Sequence, residues 1–306
     1  MSVVLLTLLS AFAQDRGARS DDSNFAADDV EAYTPAPRDR LWYSNATYLR
    51  VNPLGLVDLY RLGWRRRLST SEHILRQDTY TFVGPSVTVT PAWARVGLYA
   101  EAQLLSVFRV FGQLDGAGYF GTFDQALAFD GADRFSDDAI EARGDEAKAT
   151  LGWFATLGAT ARAKVGPIVI RDTFQTIRMD PDLGQSTHFY DQLSDRLVPD
   201  GGWVALNDAD VLYVSGKLRL GARHTVTDNL QGGSDDGDLA QHRVGPLFAW
   251  QFSDKAPGAR VNQPTLFTLA QWWAQHPYRT GDEQPQGLPL IAVGIAFNGD
   301  HWTSPQ

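Results

Sequence analysis

The residues best suited to chemistry lie between Gly221 and Arg243, where two histidines flank an acidic, glycine-rich segment. His224 lies near the end of one predicted strand and His242 near the start of the next, so a hairpin would bring their imidazoles to neighbouring strands near the outer rim of a sheet. Asp228 follows His224 on the same predicted hairpin. Because a histidine beside a carboxylate can act as a general base, His224, Asp228 and His242 are the candidate catalytic residues.

This group resembles the sites of outer-membrane phospholipases and lipid A deacylases, in which a strand-borne histidine and serine act on lipid esters with an amide or acidic partner. The resemblance implies a lipid-ester hydrolase centred on His224. It departs at the nucleophile, because Val226 stands two residues after His224, where those enzymes carry serine. Thr225 and Thr227 alternate to the other face of the strand, and Ser234 lies in a loop with no strand to fix it. The sequence therefore assigns no catalytic nucleophile.

The acidic segment also carries oxygen ligands that suit Ca²⁺. Asp228, Asp235, Asp236 and Asp238 provide four carboxylates. Their spacing lacks the ligand pattern and glycine of an EF-hand loop, so a solvated acidic loop is the simpler interpretation. The six histidines show no His-x-x-x-His spacing, and no glycine motif for phosphate binding occurs in a strand–helix context. We predict no metal and no cofactor.

The segments that would position these groups are extended strands. From Leu151 to Ala163 every second residue is apolar, and the interleaved residues are small or polar apart from Phe154. Period-two alternation over roughly fourteen residues indicates a strand with one apolar and one polar face. A Lys-Val-Gly-Pro turn and a second β-branched run, from Ile168 to Met179, complete a hairpin.

The length of these strands favours a membrane. Strands of soluble proteins usually end after about five or six residues, whereas a tilted strand that crosses lipid needs about nine to eleven. We therefore predict an all-β fold, a closed antiparallel transmembrane β-barrel of about 12 strands (10–12). The polar faces would line its lumen, and the predicted lumen-lining residues are Arg95, Tyr99, Glu101, Thr150, Thr156, Thr160 and Arg162.

Connection lengths agree with this topology. After about residue 113 the connections alternate between long and short, with long ones predicted at 114–148, 180–202 and 228–240. Bacterial barrels place short turns on the periplasmic side and long loops outside. The acidic stretch 124–146 would cap or constrict a pore and favour cations, or would simply keep the outer face hydrated.

The last predicted strand carries a recognisable pattern, with Ile291, Val293, Ile295 and Phe297 on one face. Here the sequence resembles bacterial outer-membrane β-barrel proteins in general, whose final strand alternates apolar residues and ends in an aromatic residue. The resemblance implies insertion by the barrel-assembly machinery through this strand, contact with outer-membrane lipid and lipopolysaccharide, and location in the bacterial outer membrane. It departs at the end, because Asn298 to Gln306 follow the aromatic residue.

The N-terminus and the composition complete the prediction. An apolar run ends in Ala-Phe-Ala at residue 13, as before a signal-peptidase site. The predicted divisions are therefore a signal peptide (1–13), a flexible N-terminal segment (14–40), the barrel (41–298) and a C-terminal tail (299–306). There is no cysteine, which excludes disulfides and thiolate chemistry, and the net charge of −9 argues against a nucleic-acid partner.

Three functions are consistent with these features. The first is a non-enzymatic outer-membrane barrel, either structural or a passive pore for small solutes. The second is the lipid-ester hydrolase with the His224-centred site. The third is a secreted soluble β-sandwich or lipocalin-like binder, in which the apolar rows would face a core instead of lipid.

Overall fold

The computed structural model describes residues 36–122, 128–129, 143, 146–231, 240–253, 258–277 and 287–305. The predicted signal peptide (1–13) and most of the predicted flexible segment lie outside the described residues. No helix in the described part of the chain is long and apolar enough to cross a membrane.

Twelve long strands form a closed antiparallel barrel, as predicted. Consecutive barrel strands pair with each other, and the first strand also pairs with the last, which closes the ring. In chain order they are β1 (Asp39–Val51), β2 (Gly55–Arg67), β3 (Tyr80–Val89), β4 (Trp93–Leu105), β5 (Phe108–Phe120), β7 (Ala149–Val165), β8 (Ile168–Pro181), β11 (Trp203–Ser215), β12 (Leu218–Asn229), β13 (Gln241–Gln251), β14 (Asn262–Gln275) and β15 (Leu290–Thr303).

Three short strands form a separate sheet that the sequence did not indicate. They are β6 (Ala128–Phe129), β9 (His188–Asp191) and β10 (Arg196–Pro199), in the order β10–β9–β6. The connection 180–202, predicted as a plain long loop, therefore contains an antiparallel hairpin.

The two ends of the barrel differ. Both Asp39 at the start of β1 and Thr303 at the end of β15 lie at one end, here called the termini end. The opposite end, here called the loop end, carries the longest connections, between β5 and β7 and between β8 and β11. From β5 onward the long and short connections alternate between the two ends.

Two predicted boundaries were wrong. The barrel does not end at residue 298, because β15 continues to Thr303 and its last residues pair with β1, so most of the predicted tail is strand. The alternation of apolar residues does not reach the end of the strand. Its last buried residue, Asp300, accepts a hydrogen bond from Arg40 at 3.2 Å. The strand predicted at 104–113 is instead Phe108–Phe120, so it extends into the stretch predicted as a loop. Asp115, in that stretch, lies buried on the inner face.

Apolar side chains cover the outside of the barrel. In β7 the Leu151 side chain is 73% exposed and that of Leu157 60%, while Thr156 and Thr160, on the alternate face, are buried. In a single-layer closed barrel the buried face is the interior. In β7 the apolar row therefore faces outward and the polar row faces inward. A soluble binder would show the reverse arrangement.

Aromatic rings gather outside the barrel at the termini end, across the strands that close the ring. Trp64 of β2 stacks on Trp302 of β15 with ring centroids 5.5 Å apart. Tyr43 of β1 stacks on His301 at 4.6 Å and lies edge-on to Phe297 at 6.2 Å. Amphipathic rings at a strand end are typical of a membrane–water boundary.

A charge on the outer surface should destabilise the barrel if that surface contacts hydrocarbon. We expect Leu157→Arg to lower the free energy of unfolding in phospholipid vesicles by about 2–4 kcal/mol, because Leu157 lies in the middle of β7. Urea titration of vesicle-inserted protein measures this. The control Leu68→Arg, just outside β2 and 51% exposed, should change the unfolding midpoint little. Equal effects of the two substitutions would contradict a lipid-facing belt.

Candidate functional site

The central feature of the interior is the inner hairpin, defined as residues 188–199, in which β9 pairs with β10. Arg196 lies opposite Asp191 in the register. The turn forms because Asp191 accepts a hydrogen bond from the Ser194 amide at 3.0 Å and Asp195 adopts a positive φ of 56°. Aspartate favours both arrangements, so the sequence supports a tight turn at this position.

Apolar residues fix the inner hairpin within the barrel. Phe189 and Val198 are both fully buried and belong to one cluster with inward-facing wall residues. That cluster draws on strands around the circumference, including Tyr48 of β1, Trp93 of β4 and Phe154 of β7. Only a segment inside the ring can contact opposite walls at once, so the inner hairpin occupies the lumen toward the loop end.

Charged and polar groups anchor the same hairpin to the wall. Arg50 of β1 donates to the carbonyl oxygens of Gln192 at 3.1 Å and Leu193 at 3.3 Å. Just beyond the end of β14, the His276 ring lies 3.3 Å from the Asp195 carboxylate. Asn229 of β12 donates to the Leu197 carbonyl at 3.1 Å. The hairpin is thus held from several strands.

A buried ion network lines one side of the interior. Arg223 of β12 donates to the Asp210 carboxylate of β11 at 2.7 and 2.9 Å and lies 3.3 Å from Asp208. Arg171 of β8 also pairs with Asp210. Thr225 donates to Asp208 at 2.6 Å. The members occupy adjacent strands, so this network follows the wall.

A second network lines another part of the wall, on β2, β3, β4 and β5. Glu101 accepts hydrogen bonds from the hydroxyls of Tyr80 and Tyr99, each at 2.7 Å, and pairs with Arg109 at 3.2 Å. The Arg61 guanidinium stacks 3.3 Å from the centroid of the Tyr99 ring. Every carboxylate oxygen of Glu101 therefore has a partner, as a buried charge requires.

The predicted lumen-lining residues fall into two groups. Arg95, Tyr99, Glu101, Thr156 and Thr160 are buried on the inner face. Two others lie near the ends of β7, where each bonds to a neighbouring connection. Thr150 donates to the Asp182 carbonyl at 2.5 Å, and Arg162 donates to the Ser106 carbonyl at 2.7 Å.

The structure brings the two candidate catalytic histidines together, but on the outside. His224 Nε2 lies 3.2 Å from His242 Nδ1, with ring centroids 5.4 Å apart. His224 is exposed, beside the outward Val244 in the β12–β13 register, whereas Thr225 is fully buried on the inner face. Asp228 instead contacts Arg196 of the inner hairpin at 3.3 Å. No contact between Asp228 and either histidine occurs in the described part of the chain, so this group is not assembled as a catalytic site.

The proposed calcium ligands are only partly described. Asp235, Asp236 and Asp238, together with Ser234, lie outside the described residues, as does most of the acidic stretch 124–146. Within the described ranges, no three His, Cys, Asp or Glu side chains are placed to hold a metal ion.

An open cleft of about 500 Å³ lies at the loop end, between the start of β7 and the end of β8. Its lining includes Trp153, Asp180, Asp182 and Asp200. Partial burial, together with the carboxylates of Asp180 and Asp182, raises the pKa of Asp200. Within this cleft the Asp182 carboxylate accepts a hydrogen bond from the Gly184 amide at 3.2 Å.

The acidic wall residues that matter most were not predicted as lumen-lining. Asp208 and Asp210 lie two residues apart in β11 and so share a face, and Arg219 and Arg223 share a face of β12. Acids on one face of β11 and arginines on one face of β12 could have predicted that these side chains pair across the two strands. The inner hairpin gave no such signal, because two four-residue strands are too short to show a period.

Comparison with known proteins gives similarity in structure alone. No protein-family model matches the sequence, and no curated protein matches it. The translocator domain of the autotransporter NalP from Neisseria meningitidis is 11% identical, with 97% of this chain and 95% of that chain covered and a TM-score of 0.40. OccAB1 from Acinetobacter baumannii is 7% identical (94% and 100% covered, TM-score 0.38), and Salmonella typhi OmpF in complex with daunomycin is 10% identical (87% and 99% covered, TM-score 0.36). At these values the similarity identifies neither a ligand nor an activity.

Proposed function

We propose that this chain is a bacterial outer-membrane β-barrel, non-enzymatic, whose passage for small solutes is closed by the inner hairpin in the conformation described. The apolar outer surface supports placement in a bilayer, since a large exposed apolar surface needs a nonaqueous environment. The aromatic rings at the termini end support the same placement. Detergent extraction with heat-modifiable electrophoretic mobility tests the membrane location, and release without detergent would favour a soluble binder.

The observation that carries the closed passage is the position of the inner hairpin. The two ion networks follow the wall, but the hairpin joins well-separated parts of it, because Asp191 lies 3.9 Å from Arg95 of β4 and Leu197 accepts a hydrogen bond from Asn229 of β12. A solute that crosses the loop end must therefore displace the hairpin. Because the hairpin belongs to a connection and not to a barrel strand, it can move without breaking the closed ladder of strands.

A removable cross-link tests this mechanism. With its amide oriented to satisfy its neighbours, Gln241 of β13 donates to the Ser194 carbonyl of the inner hairpin at 2.9 Å. The chain has no cysteine, so Ser194→Cys with Gln241→Cys supplies the only two thiols. In planar bilayers we expect opening events from the reduced variant, their loss after treatment with a short bifunctional thiol reagent, and their return on reduction.

The single variant Ser194→Cys, treated with the same reagent, is the control and should keep its opening events. Conductance that persists in the cross-linked double variant would show that the hairpin does not close the passage. Absence of conductance from all these variants would contradict the channel and favour a structural barrel. Lipid-ester hydrolysis that disappears in His224→Ala would favour the enzyme.

A further inference from the structure

The charge inside the barrel differs in sign from that of the whole chain. The chain carries a net charge of −9. Among the described wall residues with buried side chains, arginines outnumber acids by nine to five. The arginines are Arg50, Arg61, Arg65, Arg95, Arg109, Arg171, Arg219, Arg223 and Arg243, and the acids are Glu101, Asp115, Asp208, Asp210 and Asp300. The wall is therefore electropositive.

The inner hairpin presents the opposite charge and acceptor groups to that wall. Its buried charged residues are Asp191, Asp195 and Arg196. Asp191 lies 3.9 Å from the Arg95 guanidinium. Arg50 donates to two hairpin carbonyl oxygens. From β1 and β4, the two arginines thus bind oxygen acceptors that a segment of the same chain supplies.

Arg95 is held in place by the wall as well as by the hairpin. Its guanidinium lies 3.7 Å from the centroid of the Phe154 ring and 4.6 Å from that of Trp93. It also donates to the Tyr119 hydroxyl at 3.4 Å. Because wall residues orient this guanidinium, its place in the lumen does not depend on the hairpin. Planar guanidinium groups fixed in this way recognise carboxylate and phosphate well.

We infer that Arg50 and Arg95 form a binding site for small oxyanions, carboxylate or phosphate, that the inner hairpin occupies as an internal substitute. This inference rests on the proposed function and names its solute class. An anion that binds these arginines competes with Asp191 and the hairpin carbonyls, and so favours displacement of the hairpin. Rings of basic side chains select anions in pores, and the wall charge acts in the same direction. This solute class is opposite to the cation preference predicted from stretch 124–146.

Selectivity and activation by an anion test the inference together. In a potassium chloride gradient, the reversal potential of the full-length chain should indicate chloride permeability about threefold or more above that of potassium. Inorganic phosphate should increase the opening frequency. The double variant Arg50→Gln with Arg95→Gln should lose most of both effects. The control Arg66→Gln removes a half-exposed positive charge outside the lumen and should keep both.

The outcomes separate the two proposals. A cation-selective or unselective conductance would overturn the anion site while leaving the channel intact. If no variant conducts, the channel is wrong, and calorimetry of the detergent-solubilised protein decides the site. Asp191→Asn removes the carboxylate that competes at Arg95, so this variant should bind inorganic phosphate about tenfold more tightly than the unmodified chain. Equal or absent phosphate binding in both proteins would overturn the anion site.

Discussion

Phe189→Ala should increase the fraction of open channels by about two orders of magnitude. The Phe189 side chain is fully buried in the apolar cluster that joins the inner hairpin to the wall. Truncating a buried phenylalanine costs about 3–5 kcal/mol, and every 1.4 kcal/mol changes an equilibrium about tenfold. If the displaced hairpin exposes this residue to water, most of that cost falls on the closed state alone. Single-channel recording in planar bilayers measures the open fraction.

Phe174→Ala provides a matched control. Phe174 lies in β8, is half exposed on the outer face, and makes no part of the cluster that holds the hairpin. The same chemical change there should leave the open fraction unaltered. An unchanged open fraction in Phe189→Ala, with the barrel still heat-modifiable, would show that the hairpin does not limit conduction.

Asp210→Asn should be the most destabilising single change in the wall. Asp210 is fully buried and accepts hydrogen bonds from both Arg171 and Arg223. Its neutralisation leaves two buried guanidinium groups with less compensating charge. Removing one partner of a buried ion pair costs about 3–5 kcal/mol. Urea unfolding of vesicle-inserted protein should show a free energy of unfolding lower by about that amount.

The control for this prediction is Asp180→Asn. Asp180 pairs with Arg178 at 3.7 Å, but both side chains are about one third exposed near the loop end. Exposed ion pairs contribute at most about 1 kcal/mol, so the unfolding midpoint should move little. Equal changes in the free energy of unfolding for Asp210→Asn and Asp180→Asn would contradict this prediction. They would show that water hydrates the charged groups of the network.

The outer surface could be predicted from the sequence because lipid imposes a strict alternation. The row that begins at Leu151 is apolar over a length that a soluble strand seldom reaches, and it faces outward in the structure. The same rule failed at 299–303, where β15 continues with inward Asp300 and without outward apolar alternation. Apolar alternation therefore predicts which side chains face lipid, but it does not predict the residue at which a strand ends.

The inner hairpin could not be predicted, because its stability depends on its surroundings. Phe189 and Val198 are buried only because distant strands surround them. Two four-residue strands have no measurable period and little stability alone. Their position inside the ring depends on contacts such as Arg50 to the Leu193 carbonyl, which link residues far apart in the sequence.

Whether a residue number is odd or even along β12 decides whether its side chain faces the lumen or the outside. The hairpin signal placed His224 and His242 on neighbouring strands, and the structure has them in contact. Parity alone would have placed His224 on the face opposite Arg223 and Thr225. The sequence also distinguished the two faces, because Leu220, Ala222 and Val226 share the face of His224 and indicate that it turns outward.

The stack of Trp64 on Trp302 across the closing strands has a kinetic consequence. These residues lie near opposite ends of the chain, so their rings meet only when β15 has reached the first strands. Contacts between residues so distant in sequence form late and slowly. The circular dichroism of the stacked indoles should therefore appear as the last event of refolding, after the bulk β signal, and Trp64→Phe should abolish it. The chain thus carries an intrinsic optical reporter for the moment at which its ring is sealed.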